Sequence, residues 1–255
     1  MLISLPNLTS IKRFYRYEKK RLIKRQSASN DKLLAQVLRQ GYALIPDYWS
    51  REKCKLACDK IDNLIEQPSV KLWTDELRAD TRIMGIDKLA PELDLMHDPV
   101  LVKQLNSLFC VDNLSGFTMG AKLSYVPDNR GSGQGWHRDM AVNYQFKAIL
   151  YLSDVTPQSG PLQYYRGSGS AFSILNFERR HQVSIDKTRF TEHDITLLAK
   201  KDLKEFCAPA GTLILANTRG IHRGKPIEQG QRYALTSYQW PLAIPKHIEP
   251  YVNGL

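Results

Sequence analysis

Apolar positions along this chain follow one period before residue 110 and another after residue 115. In the first part they recur at helical spacing. "DKLLAQVLRQGYALIPDYWS" (31–50) predicts a helix, a glycine turn and a short strand. Ser50 then stands as N-cap to a helix over "REKCKLACDKIDNLIEQ", with Leu56, Ile61, Leu64 and Ile65 on one broad face. The second part breaks into short apolar runs, "FTMGAKLSYV", "KAILYLSDV", "GPLQYYRG", "GTLILANT" and "RYALTSYQW", separated by the turn-rich stretches "PDNRGSGQG" and "TPQSG". Helices first and an all-β region after predict a mainly β protein, a barrel or jelly roll with a helical layer outside it. The polar break "QSASND" (26–31) divides a basic arm, 1–30, from a single body, 31–255. Within the body the pattern suggests a helical flank (31–112) and a β core (113–242) carrying a long insert at 171–206. No glycine-rich phosphate fingerprint follows a strand and opens a helix, which argues against a nucleotide-binding α/β sheet.

Composition refines this picture in two places. With 255 residues, 42% of them hydrophobic, the chain can bury one large core, and its apolar runs are far too short to span a bilayer. The start, "MLISLPNLTSIKRFYRYEKK", carries its charges after a weak apolar patch, the reverse of a secretory signal. The four cysteines form neither a CxxC nor a disulfide framework, and Cys54 and Cys58, four apart on a helix, read as buried thiols rather than ligands. A reducing cytoplasm is expected. The charge is uneven: residues 12–25 hold eight basic side chains against Glu18 alone, so most of the net +10 sits on the arm. Ile11, Phe14, Tyr15, Leu22 and Ile23 would give that arm an apolar side, as in a helix lying on an anionic membrane surface. A solvated terminal helix is the plainer alternative, and nucleic acid the third.

The chemistry concentrates in "GSGQGWHRDMAV" (131–142). A kinase-type catalytic loop also spells HRD, but its Mg²⁺-binding Asn stands five residues after the Asp, whereas Asn143 comes four after Asp139. On a strand, His137 and Asp139 would project to one side and Arg138 to the other, so the pair could hold two adjacent corners of a metal octahedron. Two His and one carboxylate on one face leave three positions open, an arrangement suited to Fe(II) in oxygenases. Of the other histidines, His222 is distinctive, because it follows the apolar run "GTLILANT" and precedes a short turn and a further strand opened by Arg232. A hairpin centred near Ile227 would set His222 and Arg232 opposite one another across the ladder. An Arg there would suit a carboxylate, which its guanidinium grips bidentately.

"GWHRD…GIHRG…QRYALTSY" resembles the H-x-D…H…R pattern of Fe(II)/2-oxoglutarate-dependent oxygenases. "YLSDVTPQSGPLQYYRGSGS" and the opening "RQGYALIPDYWSREKCKLACDKIDNLI" resemble the phytanoyl-CoA dioxygenase-like family, over roughly residues 33–240. The resemblance implies a double-stranded β-helix (jelly roll, cupin-like) core. It implies that His137, Asp139 and His222 bind iron and that Arg232 holds the distal carboxylate of 2-oxoglutarate. It also implies O₂-dependent oxidative decarboxylation to succinate and CO₂, with Asp139 favouring hydroxylation over halogenation. Trp136 matches a frequent family position beside the first ligand, as a wall of the substrate pocket. The chain departs from the family pattern at Arg166 and Gly169, where Pro and His are usual, and at Ala234, where Ser or Thr often assists the Arg. Thr236, Tyr125 and Lys122 are candidate replacements for that contact. By the same analogy the insert 171–206 forms a lid, and Arg179, Arg180 and His181 could meet an anionic small-molecule substrate bearing phosphate, CoA or a sugar acid. Three rival functions are weaker. A nucleic-acid oxygenase would carry a second Arg after the last His, which "RYALTSYQWP" lacks. A non-catalytic module would have lost a ligand, and a Zn²⁺ or Mn²⁺ cupin gives Arg232 no task.

Overall fold

Strand β10 (Gln231–Trp240) is the spine of the molecule: it pairs with β4 (Ser115–Ser124) through ten residue pairs and with β5 (Phe146–Tyr151) on its other edge. The computed structural model describes residues 12, 14–16, 18, 19, 32–109, 114–141, 145–240, 243, 244, 246 and 248–252. Around β10 a seven-stranded antiparallel sheet runs in the order β1-β8-β5-β10-β4-β3-β2, with β1 at Tyr42–Ile45, β2 at Trp73–Thr74, β3 at Asp80–Met84 and β8 at Leu213–Asn217. A second sheet, β7-β6-β9, contains Leu203–Phe206, Leu162–Tyr165 and His222–Gly224. One cavity is lined from both sheets, so they face each other as the two walls of a jelly roll.

Alternation on the strands decides which side chains meet that cavity. On β10, Arg232, Ala234, Thr236, Tyr238 and Trp240 line it, whereas Tyr233 and Leu235 belong to the core on the outer side. That outer core is closed by helices α1 (Lys32–Gln40) and α2 (Arg51–Ile65). Ser50 caps α2 by accepting a hydrogen bond from the Lys53 amide at 3.2 Å. The buried line of α2 is Cys54, Ala57, Ile61 and Leu64, and Leu56, expected on that face, is 63% exposed. Five residues separate 56 from 61, which turns Leu56 about 140° off the buried line. Cys54 and Cys58 point their thiols at the Tyr151 and Leu152 carbonyls, 3.9 and 3.6 Å away, and burial pushes the Cys58 thiol up to about 12.

Two further features depart from the sequence pattern. Strands β2 and β3 lie within a region whose periodicity reads as mostly helical; β3 alternates Asp80 and Arg82 with its neighbours, so no apolar alternation marks it. And β9 does not form a hairpin with β10. It pairs with β6 in the small sheet, while the connection after it is held by Lys225 N–H donating to Pro161 O (2.8 Å) and Ile227 N–H to Asn129 Oδ1 (3.0 Å). His222 and Arg232 therefore face each other across the cavity rather than across a ladder. Short helices α3 (Ile86–Leu89) and α4 (Pro99–Phe109) precede β4. Residues 171–206 fold as α5 (Ala171–His181), α6 (Glu192–Thr196), a 3-10 turn and strand β7. Helix α7 (Glu249–Val252) closes the C-terminal end.

Only six residues of the basic arm, 12, 14–16, 18 and 19, are described, all helical. Phe14 is fully buried against Ala141, Ile174 and Ile185, and the Arg219 guanidinium lies 4.9 Å from its ring and pairs with Glu18. Lys12, Tyr15, Arg16 and Lys19 are exposed. Arg13, Lys20, Arg21, Lys24 and Arg25, with the apolar Ile11, Leu22 and Ile23, fall outside the described residues. No helix among the described residues is long and apolar enough to cross a membrane.

Candidate active site

His137 and His222 are joined backbone to backbone: each amide donates to the other's carbonyl, at 2.9 and 2.8 Å. Such a pair sends both side chains to one side, and the two imidazole centroids lie 4.3 Å apart. Asp139 joins them because its amide donates to Thr218 O (2.9 Å), carrying the two-residue alternation one step further. Between them Arg138 points the other way, 5.1 Å from the Phe190 ring, where burial lowers its pKa to about 10. The alternation expected of a strand is thus present, although it rests on isolated bridges within a glycine-rich turn. Gly133 has φ 84°, and a Cβ there would run into the His137 ring, so this turn packs against the imidazole only as glycine.

One ligand atom from each of His137, Asp139 and His222 lies within 4.8 Å of the others. Each histidine places Nδ1 2.9 Å from the carbonyl two residues earlier, Gly135 or Gly220, which fixes the Nδ1–H tautomer and leaves the Nε2 lone pair for the centre. Burial, with His222 as neighbour, holds His137 well below its usual value, and burial lowers His222 to about 4. Both rings are neutral donors at pH 7. Burial opposes ionising Asp139, but Lys147 and the two rings outweigh it and hold the carboxyl well below the usual carboxylate range. Lys147 Nζ donates to Asp139 Oδ1 at 3.0 Å and contacts Oδ2 at 2.8 Å, yet Oδ2 receives no well-directed hydrogen bond. A buried carboxylate oxygen without a donor beside two imidazole lone pairs is a donor set that fits a divalent cation.

The cavity holding these groups has a volume of about 490 Å³. On its far wall Arg232 is 8% exposed, makes no ion pair among the described residues, and keeps Nε without an acceptor. A buried guanidinium in that state suits a carboxylate ligand. Beside it Arg82 is committed to Asp80 (3.1 and 2.5 Å) and to Ser132 (3.2 Å).

The remaining expected residues separate cleanly. Thr236 faces the cavity, at the level of Met119 and Ile149. Lys122 does not: it is out of phase with the cavity-facing Phe117, Met119 and Ala121 of β4, and bonds Asp62 at 2.7 Å on the outer side. Tyr125 lies past the end of β4 and is 50% exposed. Trp136, one residue from His137, points away from the metal cavity into a second one of about 630 Å³, with Arg223 4.3 Å from its ring and Arg130 and Arg189 on the walls. Arg179 and Arg180 end α5, exposed and outside both cavities, because α5 turns Ile174 and Phe177 inward instead. Arg166 pairs with Asp202 at 2.7 Å on the surface, and Gly169 touches Gly220 so closely that a Cβ would sit 2.8 Å from its nitrogen. Sequence reasoning missed Lys147, Arg82 and the aromatic residues Phe117, Tyr238 and Trp240. A lone lysine inside the apolar run "FKAILYL" was the available signal for the first.

The sequence profile of the phytanoyl-CoA dioxygenase (PhyH) family matches residues 37–232. No curated protein matches significantly. Several solved structures share the fold. The epimerase SnoN, in complex with Fe³⁺, alpha ketoglutarate and nogalamycin RO, aligns with TM-score 0.62 at 13% identity over 82% of each chain. The alpha ketoglutarate-dependent carbocyclase SnoK aligns with TM-score 0.59 at 14% identity, over 84% of this chain and 85% of that one. HygX from Streptomyces hygroscopicus, with nickel, 2-oxoglutarate and hygromycin B bound, aligns with TM-score 0.56 at 16% identity over 83% and 87%.

Proposed function

Since the chain belongs to the phytanoyl-CoA dioxygenase (PhyH) family of non-haem iron, 2-oxoglutarate-dependent enzymes, we propose that it hydroxylates an unactivated C–H bond of a small molecule. The single observation that carries this is the buried cluster of His137, Asp139 and His222 facing an unpaired Arg232 across one cavity. His137 and His222 through Nε2, and Asp139 through Oδ2, would hold Fe(II). Arg232 would grip the distal carboxylate of 2-oxoglutarate, with Thr236 on the wall beside it. Bound iron supplies the activation of O₂. The overall conversion is R–H + 2-oxoglutarate + O₂ → R–OH + succinate + CO₂, so one oxygen atom enters succinate and the other the product.

The chain's own residues set the conditions for that chemistry. Lys147, 3.0 and 2.8 Å from the two oxygens of Asp139, keeps that carboxylate ionised and in place for a cation. The apolar wall of Ile149, Met119 and Ala121 keeps water from the reacting carbon. Small organic ligands in SnoN and HygX support a small-molecule substrate here as well. An anionic group on that substrate would have to be met by Arg130, Arg189 or Arg223 in the cavity beside Trp136, since Arg179 and Arg180 stand apart. For the arm, contact with an anionic membrane surface rests on the exposed Lys12, Arg16 and Lys19; loss of liposome sedimentation on deleting residues 1–25 would support it, and retention would discard it.

Succinate release from 2-oxoglutarate, measured without added substrate, tests the main reading. His137→Ala should abolish it. Arg232→Ala should raise the 2-oxoglutarate KM ten- to a hundredfold, the loss of one charge-assisted bidentate contact of about 1.5–3 kcal/mol. An unchanged KM in that variant would end the cosubstrate assignment.

A further inference from the structure

The metal cluster has a back as well as a front. Residues 217–222 form a turn that anchors two of its three ligands. Thr218 O accepts from the Asp139 amide, Gly220 O accepts from His222 Nδ1, and the His222 amide donates to His137 O. Arg219, in the middle of this turn, is 1% exposed. Arg138, between the other two ligands, is also buried, keeps Nε without an acceptor among the described residues, and has Arg219 as its charged neighbour. Two buried guanidiniums therefore back onto the ligands, and such charges are costly unless an acid meets them.

That acid comes from the N-terminal arm. Glu18, the single acid within residues 12–25, is buried and pairs with Arg219. Phe14, one helical turn earlier, holds its ring 4.9 Å from the same guanidinium. It packs in one cluster with Ala141, two residues past Asp139, and with Ile174 and Ile185 of the insert. The spacing of the arm suits this docking. Phe14 and Glu18 are four residues apart and share one helix face, whereas the exposed Lys12, Arg16 and Lys19 lie about 140–200° round from Phe14. One face of the arm thus joins the metal-binding segment, the turn at 217–222 and the insert, while its cations face solvent.

Building on the proposed oxygenase reading, we infer that the arm is a clamp on the metal site, with Phe14 and Glu18 as positioning residues that act through Arg219 on the backbone aiming Asp139 and His222. Neither residue lines the cavity, so neither touches metal or cosubstrate. Without its acid, Arg219 would turn toward water. The carbonyls of Thr218 and Gly220, on either side of it, would shift with it.

Mn(II) binding by calorimetry and amide hydrogen exchange in the metal-free protein test this on the full chain. Glu18→Gln and Phe14→Ala should each weaken Mn(II) about tenfold, the low end of what groups supporting metal ligands contribute. Phe14→Leu, which still fills the space, should weaken it by less than about threefold. Lys19→Gln, on the outer face, should leave it unchanged. Exchange at the Asp139 and His222 amides should quicken in the first two variants while that at Leu235 in β10 does not; a general loss of stability would quicken all three. Glu18→Gln carries the test should Phe14→Ala fail to fold. Unchanged Mn(II) affinity in the folded variants, or equal quickening at Leu235, overturns the inference. If the unmodified protein takes up no Mn(II), the oxygenase reading fails instead, and exchange at Asp139 and His222 alone decides whether the arm holds that turn.

Discussion

Along β10, Leu235 and its neighbours on the outer face meet α2 and the helical layer, whereas Arg232, Thr236 and Tyr238 on the inner face meet the cavity. The two faces share one backbone and alternate residue by residue. On the outer face Leu235 is fully buried among Ile61, Ile83, Leu150 and Leu213, and Tyr233 places its hydroxyl 2.8 Å from Asp62. There the polar groups find partners and the apolar ones find close packing. On the cavity side, Arg232 Nε and, across from it, Asp139 Oδ2 have no well-directed hydrogen bond among the described residues. Free energy invested on one side holds the sheet; free energy withheld on the other is recovered only when a ligand arrives. Substitutions on the two faces should therefore separate stability from binding.

The largest separation is expected from Leu235→Ala, which should lower the unfolding free energy by about 2–5 kcal/mol in denaturant titration while the folded protein keeps its 2-oxoglutarate affinity. Lys147→Met leaves Asp139 buried without its cation and should destabilise the metal-free protein by about 3 kcal/mol, an effect the double variant with Asp139→Asn removes. Arg232→Met should do the opposite of Leu235→Ala: unchanged or higher thermal stability of the metal-free protein, because an unpaired buried charge is gone, with 2-oxoglutarate binding weakened about ten- to a hundredfold. A drop in stability there would show that Arg232 has a structural partner and blur the contrast.

The pH response is smaller. His222 is lowered to about 4 in the fold, against 6.5 when unfolded. Between those values the unfolded chain takes up the proton and the folded one does not. Stability of the metal-free protein should therefore fall as pH drops from 6.5 toward 4, by at most about 1.4 kcal/mol per pH unit for this group, and be indifferent to it above pH 7. His222→Asn should flatten that slope in thermal melts taken across the range. Smallest of all, Leu56→Gln on the exposed side of α2 should change the unfolding free energy by less than about 0.5 kcal/mol.

Local rules were enough for much of the architecture. Ser50 announced the start of α2, and the apolar runs marked β4, β5, β6, β8 and β10, because capping and two-residue alternation are properties of a few adjacent residues. The spacing of His137 and Asp139 held for the same reason. Leu56 shows the limit: four apolar residues could be placed on one helical face, but the arc the sheet covers is the one carrying Cys54, whose thiol meets the Tyr151 carbonyl, and Ala57. Strand β3 escaped notice because Asp80 and Arg82 alternate on one of its faces and leave Met84 as the only apolar residue there, and Lys122 was assigned inward because parity along β4 cannot be anchored without knowing its partners.

The order of elements, the barrel or jelly-roll class and the His137–Asp139 pair were legible in the sequence itself, since each depends on residue type, periodicity and short spacing; His222 and Arg232 were reached through the family resemblance and a hairpin that does not form. Only the tertiary structure decided that β9 and β10 belong to opposite sheets, that Trp136 and Arg179 look elsewhere, and that Lys147 and the Phe117–Tyr238–Trp240 wall complete the cavity. Those outcomes depend on strand pairing between distant segments, such as β9 with β6 and β10 with β4, whose register is settled by which faces can be buried together rather than by any one stretch of chain.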